Sequence, residues 1–200
     1  MMDYFISDTH FFHENVIKFD GRPFFSVEEM NAKMHDWWNN TVNPRDRVYI
    51  LGDFLWLDPR EQEKEYIDFT KSLNGHKVLI KGNHDNVKRF SDEIISCFEN
   101  IHERFELKTN KKVIVMDHYP MMSYHHDVRP NVFHLHGHTH NTMEQDWVEK
   151  WTKELVANHK MGTPTGQIIN VGACMPYMNY IPRTLDEIIE AGKERYRWTV

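Results

Sequence analysis

Residues 77–85 read KVLIKGNHD. A short apolar run that stops at a glycine has the length and composition of a strand ending in a turn. Asn83, His84 and Asp85 then sit in that turn. The same three residues on a helix would belong to a different architecture. In open α/β sheets ligands bind beyond the carboxyl ends of the strands, so this stretch says where other chemistry-bearing residues should be sought.

The arrangement recurs along the chain. DYFIS at 3–7, RVYIL at 47–51, HKVLI at 76–80, KVIVM at 112–116 and NVFHL at 131–135 all read as strands. Helix signals lie between and after them. Ser26 with Glu29 predicts a capping box before a helix reaching Trp38. Asp58-Pro59 predicts a start for a helix with Tyr66, Phe69 and Leu73 on one face, ended by Gly75. Thr184 with Glu187 opens a C-terminal helix. Strand and helix alternation implies an α/β fold. No repeat, low-complexity tract or linker divides the chain, so residues 1–200 read as one domain. In the segment 143–160, Trp147, Trp151 and Leu155 recur every four residues, which predicts an amphipathic helix. That helix is either a cap over the site or an ordinary packing helix.

Each strand is followed by groups able to bind metal. Asp8 and His10 follow the first, Gly52-Asp53 the second, Gly82-Asn83-His84-Asp85 the third, His118 the next, and Gly137-His138-Thr139-His140 the one after. HLHGHTHN at 134–141 puts four histidines at alternate positions, which a strand with one solvated face would also produce. With 14 histidines in 200 residues some must be idle, and the clustering at strand ends is what sets the others apart. A mixed Asp, Asn and His set suits Mn, Fe, Zn or Ni, whereas Mg or Ca would draw nearly all oxygen. Eight or nine donors exceed the four to six that one ion uses and suit two. Two-metal sites hold their ions about 3.5–4 Å apart and commonly promote in-line displacement at phosphorus.

Composition narrows the partners. The formal net charge of −6 argues against binding extended duplex DNA through a broad basic face. It leaves room for a phosphorylated substrate, because bound divalent cations reverse the local field. Cys97 and Cys174 form no disulfide framework or metal-binding pair, which suits a reducing cytosol. The start MMDYFISDTH lacks the pattern of a signal peptide, and no apolar run reaches the length of a membrane span. A cytoplasmic protein without membrane contact is expected. Oligomeric state is not readable.

In the order D-x-H, G-D, G-N-H-D, H and G-H-x-H, the five blocks resemble the calcineurin-like metallophosphoesterase superfamily. They run from residue 8 to 140, about two thirds of the chain. DTHFFHEN at 8–15 and FDGRPF at 19–24 are most similar to a group of small bacterial and phage-borne phosphoesterases. Asp117 before His118 departs from relatives that often carry a small residue there.

The resemblance implies a four-layer α/β/β/α sandwich and two divalent ions, with Mn²⁺ favoured and Fe, Zn or Ni as alternatives. It implies that Asp8, His10 and His140 hold the first ion. Asn83, His118 and His138 hold the second, and Asp53 bridges both. A hydroxide bridging the metals would be the nucleophile and His84 the general acid, with Asp85 orienting the His84 ring. Gly137 would let the backbone turn close to the ions, His136 would support the ligands and His134 would be structural. His13, Arg22, His125 and His126 are further candidates for substrate phosphate, Arg22 because its fork of donors matches phosphate geometry. The implied activity is phosphoester hydrolysis. A diester on a small nucleotide or nucleic-acid-derived substrate is favoured over a monoester, because poor alkoxide leaving groups gain most from an acid. The rivals are a phosphatase with the same site, an HD-type phosphohydrolase and a metal-binding scaffold without catalysis. HD-type enzymes are helical where KVLIKGNHD reads as a strand, and scaffolds of this fold typically lose the ligands retained here.

Overall fold

The computed structural model describes residues 1–198. Its strands form two sheets. The first carries β1 (Asp3–Ile6), β2 (Arg47–Ile50), β3 (His76–Ile80), β4 (Asn100–His102) and β9 (Arg183–Thr184), in the order β4-β3-β2-β1-β9. The second carries β5 (Arg104–Thr109), β6 (Lys112–Asp117), β7 (Val132–His136) and β8 (Ile168–Asn170), in sequence order. β1 to β4 are parallel, and so are β6 to β8, while β9 and β5 pair antiparallel at the edges. The five strands expected from sequence are therefore present, within one or two residues at their ends.

The sheets face each other across one core. Phe5 of β1 stacks on Tyr49 of β2 at 5.3 Å between ring centroids, and Tyr49 stacks on Phe105 of β5 at 6.0 Å. Phe5, Ile6, Ile50, Leu79 and Ile80 from the first sheet join Ile114, Met116, Phe133 and Leu135 from the second in one buried cluster. The β-branched and aromatic residues that gave the strands away thus fill the space between the sheets. The outer layers are helical. Over the first sheet lie α1 (Glu14–Phe19), α2 (Val27–Thr41) and α3 (Glu63–Ser72), with Met30, Met34, Trp38 and Tyr66 buried. The short α4 (Asp92–Ile95) follows β3, α5 (Met143–Ala157) packs its Val148, Trp151 and Leu155 on the second sheet's outer cluster, and α6 (Leu185–Tyr196) packs on α5 and touches β9 and β1 of the first sheet and β8 of the second. The result is the expected α/β/β/α order.

The helix starts follow the signals in two cases and depart from them in one. Ser26 caps α2 by accepting from the Glu29 amide at 3.2 Å, and Thr184 and Glu187 form a reciprocal capping box on α6. α3 instead begins at Glu63. Asp58 is spent on a preceding turn, where its Oδ1 accepts from Arg60 N at 2.9 Å and its other oxygen pairs with Arg89 at 2.7 Å. α5 follows its periodicity in part, with Trp151 and Leu155 packed on the cluster of Val115, Val132 and Ile168. Its buried positions are the polar Gln145, Glu149 and Thr152, while Trp147 is 61% exposed. Among the described residues no helix is long and apolar enough to cross a membrane.

Candidate metal centre

The carboxyl ends of β1, β2, β3, β6 and β7 converge, and with them the seven expected ligands. The ligand atoms of Asp8, His10, Asp53 and His140 all lie within 4.8 Å of one another. His10 Nε2 is 3.3 Å from His140 Nε2, and His140 Nε2 is 3.5 Å from Asp8 Oδ1. On the other side Asn83 Oδ1 lies 2.9 Å from His118 Nε2 and 2.8 Å from His138 Nδ1. Asp53 joins the halves: its Oδ2 is 3.6 Å from His10 Nε2 and 3.6 Å from His118 Nε2.

These spacings fit metal ions. Donors about 2.0–2.2 Å from a common ion are roughly 2.8–3.6 Å from each other in octahedral or tetrahedral geometry, the range found here. Four imidazole nitrogens and three oxygens facing inward suit a borderline cation better than Ca²⁺ or Mg²⁺. Electrostatics agree. Burial, reinforced by the Asp8 carboxylate, holds Asp53 above the usual carboxylate range against the pull of His118. Burial and Asp53 also raise Asp85. Such a crowd of carboxylates gains from a cation.

The backbone pays strain to aim these groups. Asp8, His10, Asp53, His138 and His140 all adopt left-handed conformations, with φ between 46° and 68°. Each costs on the order of 1–3 kcal/mol for a residue other than glycine. Five of seven ligands in this region means the loops are held there by their surroundings, and strain concentrated in this way is characteristic of functional sites. Close approach explains two glycines. A Cβ on Gly82 would lie 2.2 Å from Asp53 Oδ1, and one on Gly137 would lie 1.9 Å from Ser7 Oγ and 2.4 Å from Asp8 Oδ2. Gly137 is therefore required for lack of space, not for a left-handed turn.

Hydrogen bonds fix the ligands from behind. His118 Nδ1 donates to the Leu51 carbonyl at 2.8 Å, which leaves Nε2 facing the site. His140 Nδ1 lies 2.7 Å from Asp20 Oδ1, and Asp20 pairs with Arg22 at 2.9 Å. Burial would lower His140, but Asp20 and Asp8 outweigh it and push the ring up to about 11. Arg22 also donates to the carbonyls of Thr9 at 2.8 Å and Asp8 at 2.9 Å.

Three expectations need correction. Arg22 does not face substrate: it is 4% exposed, and its donors bind Asp20 and the backbone that carries the first ligands. Asp85 does not orient the His84 ring. Its carboxylate accepts from the amides of Gly82, Asp53 and Phe54 at 2.8, 2.8 and 3.1 Å, stapling the loop after β3 to the loop after β2. His125 and His126 stack on each other at 3.7 Å, and His125 pairs with Glu106 of β5, not with the ligand cluster.

The other named histidines are placed as follows. His84 Nε2 is 4.0 Å from Asp53 Oδ2, and its side chain is 44% exposed. His13 is buried 5.4 Å from the His10 ring and stacks on Trp56 at 3.8 Å. His134 is structural, with Nδ1 on the Val115 carbonyl and Nε2 accepting from Met121 N, and burial pushes it down to about 4. His136 is buried beside it, Nδ1 on the Gly137 carbonyl. Asp20 was missed from sequence, although FDGRPF at 19–24 contains it; its partner His140 is 120 positions away. α5 is tied to the site as well. Gln145 accepts from Thr139, and Asn170 of β8 donates to both Thr139 and Gln145.

Fold and centre together define an α/β/β/α protein with a candidate metal-binding cluster of Asp, Asn and His side chains at the strand ends. A model of the calcineurin-like phosphoesterase family matches residues 4–175, and the chain belongs to that family. It is by that membership a metal-dependent phosphoester hydrolase. The chain is 33% identical over 194 residues to the uncharacterized protein MJ1445 of Methanocaldococcus jannaschii, covering 95% of this chain and 92% of that one. It is 24% identical over 163 residues to the Gene 66 protein of Mycobacterium phage L5, covering 70% and 78%. Among solved structures it is similar to AQ665 from Aquifex aeolicus, a protein of unknown function. There the TM-score is 0.66 at 27% identity, covering 95% of this chain and 98% of that one.

Proposed function

We propose that the protein is a phosphodiesterase acting on a small nucleotide or nucleic-acid-derived substrate with two bound Mn²⁺ ions. Asp8, His10 and His140 would hold one, Asn83, His118 and His138 the other, and Asp53 both. The observation that carries the reading is the equal 3.6 Å reach of Asp53 Oδ2 to His10 and His118. A carboxylate between two nitrogen-bearing sets is the group able to serve two cations at once. When bound, the ions supply a nucleophile at neutral pH and neutralise charge on the phosphoryl oxygens.

The chain's own groups do the rest. The Gly82, Asp53 and Phe54 amides bound to Asp85 lock the loop that presents His84. The amide of His84 donates to Asp53 Oδ1 at 2.9 Å, which fixes its backbone against the bridging carboxylate. Its imidazole stays half exposed at the mouth of the site, where Nε2 can hold a proton. As the P–O bond breaks, that proton passes to the leaving oxygen. An alkoxide needs it more than an aryl oxide does, which is why a diester is preferred over a monoester here.

The test is hydrolysis of bis-p-nitrophenyl phosphate beside p-nitrophenyl phosphate, on metal-stripped protein reloaded with Mn²⁺. Faster diester cleavage that depends on reloading is expected. Faster monoester cleavage would replace the reading with a phosphatase using the same residues. Stoichiometric Mn²⁺ binding without turnover of either would point to a non-catalytic centre.

A further inference from the structure

Two exposed aromatic side chains flank the ligand cluster. Trp56, in the loop after β2, lies 4.8 Å from the His84 ring and 6.2 Å from the His10 ring. His13 covers one face of its indole, stacked at 3.8 Å with an interplanar angle of 6°. Trp56 nevertheless remains 43% exposed beside the general-acid position. Tyr119, after β6, is 47% exposed and lies 4.4 Å from the His138 ring at the opposite end of the cluster.

Packing does not explain either exposure. A large aromatic side chain left open beside a strongly polar site forgoes burial worth about 1.5–3 kcal/mol. The His13 ring beneath Trp56 holds the indole in one orientation, and a preset aromatic plane binds a second plane at little entropic cost. Nucleobases stack on such planes, whichever base it is.

We infer that Trp56, braced by His13, is a stacking platform for the base of a nucleoside phosphate whose phosphoryl group occupies the metal centre, with Tyr119 offering a second plane on the far side. The ligand class is a nucleoside phosphodiester with one substituent towards each ring. The inference rests on the phosphoesterase reading for the position of the phosphate and extends it to what surrounds that phosphate.

Calorimetric binding of AMP and of ribose 5-phosphate to Mn²⁺-loaded protein isolates the base, because the two share sugar and phosphate. AMP should bind about tenfold or more tightly, the size of one base–aromatic stack. Trp56→Leu, which keeps apolar bulk without a π face, should bring the two ligands within about a factor of two; Trp56→Phe should keep most of the difference. Thermal melts and Mn²⁺ stoichiometry establish that each variant is folded. A short single-stranded oligonucleotide distinguishes the source. Tighter binding than AMP, lost in Trp56→Leu, identifies a nucleic-acid end; equal binding identifies a free nucleotide. AMP and ribose 5-phosphate binding alike to the unaltered protein, or a preference that survives Trp56→Leu, would overturn the platform. Turnover of bis-p-nitrophenyl phosphate on the same preparation reports the phosphoesterase reading separately. Turnover without base preference leaves a hydrolase with no platform, and base preference without turnover leaves the platform and removes the hydrolase.

Discussion

Replacing Asp20 by Asn should weaken the first metal position while leaving every proposed ligand in place. Asp20 is not among those ligands, yet its Oδ1 sits 2.7 Å from His140 Nδ1 and its side chain is 3% exposed. The contact fixes which ring nitrogen of His140 faces the ion and makes that nitrogen a better donor. Losing such a partner typically costs 10–100-fold in metal affinity, which corresponds to about 1.4–2.8 kcal/mol. The asparagine keeps the shape and one acceptor, so the lower half of that range is expected. A second effect comes through Arg22, whose buried guanidinium keeps its carbonyl acceptors on Thr9 and Asp8 but loses the carboxylate it pairs with. Breaking a buried pair from one side costs about 3–5 kcal/mol of stability. Titration of Mn²⁺ into stripped protein followed by calorimetry reads the affinity, and urea unfolding reads the stability. The first binding step should weaken about tenfold, with the second little changed. Two binding steps within a factor of two of the unaltered protein would refute the role assigned to Asp20.

Other outcomes follow from single distances. His84→Ala should keep both ions yet slow diesters with alkoxide leaving groups by about 10²–10⁴-fold, with a smaller loss on p-nitrophenyl esters; loss of metal instead would make His84 a ligand. Gly137→Ala would drive a Cβ to 1.9 Å from Ser7 Oγ and 2.4 Å from Asp8 Oδ2. It should therefore cost about 1–3 kcal/mol or more in unfolding measurements and weaken Mn²⁺ binding. Acid should destabilise the fold through His134, which burial holds at about 4 in the native chain. The unfolded chain takes up the proton near 6.5, so it binds more protons than the native state between those values. Stability present above pH 6.5 is then lost as pH falls towards 4, on the order of 3 kcal/mol. Urea midpoints across that window should fall for the unaltered protein and change less for His134→Gln.

The convergence of these side chains was legible in the sequence because each follows an apolar strand, and strand ends in an α/β sheet converge whatever the loops do. What surrounds the ligands was not, for three physical reasons. Asp20 and Arg22 act on residues brought near only by folding, His140 being 120 positions from Asp20. Asp85 is adjacent to His84 in sequence, but the turn points its carboxylate back at three amides. Trp56 carries no motif, and its meaning appears only when His13 is found beneath it. Elsewhere the sequence misled where packing was polar. The aromatic repeat of α5 held for Trp151 and Leu155, which pack on the Val115, Val132 and Ile168 cluster, but it did not reveal that the helix also buries Gln145 and Glu149 into a hydrogen-bonded network with Asn170 and Arg195. β5 was missed because RFELKT is half charged and only partly buried, so no apolar run marks it.

Whether Asp53 joins two ions is best settled by electron paramagnetic resonance on Mn²⁺-loaded protein together with metal analysis. Ions about 3.5–4 Å apart on a shared carboxylate couple magnetically. Two Mn²⁺ per chain with the spectrum of a coupled pair, lost on Asp53→Ala, is the predicted result. One Mn²⁺ per chain, or two that give only the spectrum of isolated ions, would contradict it.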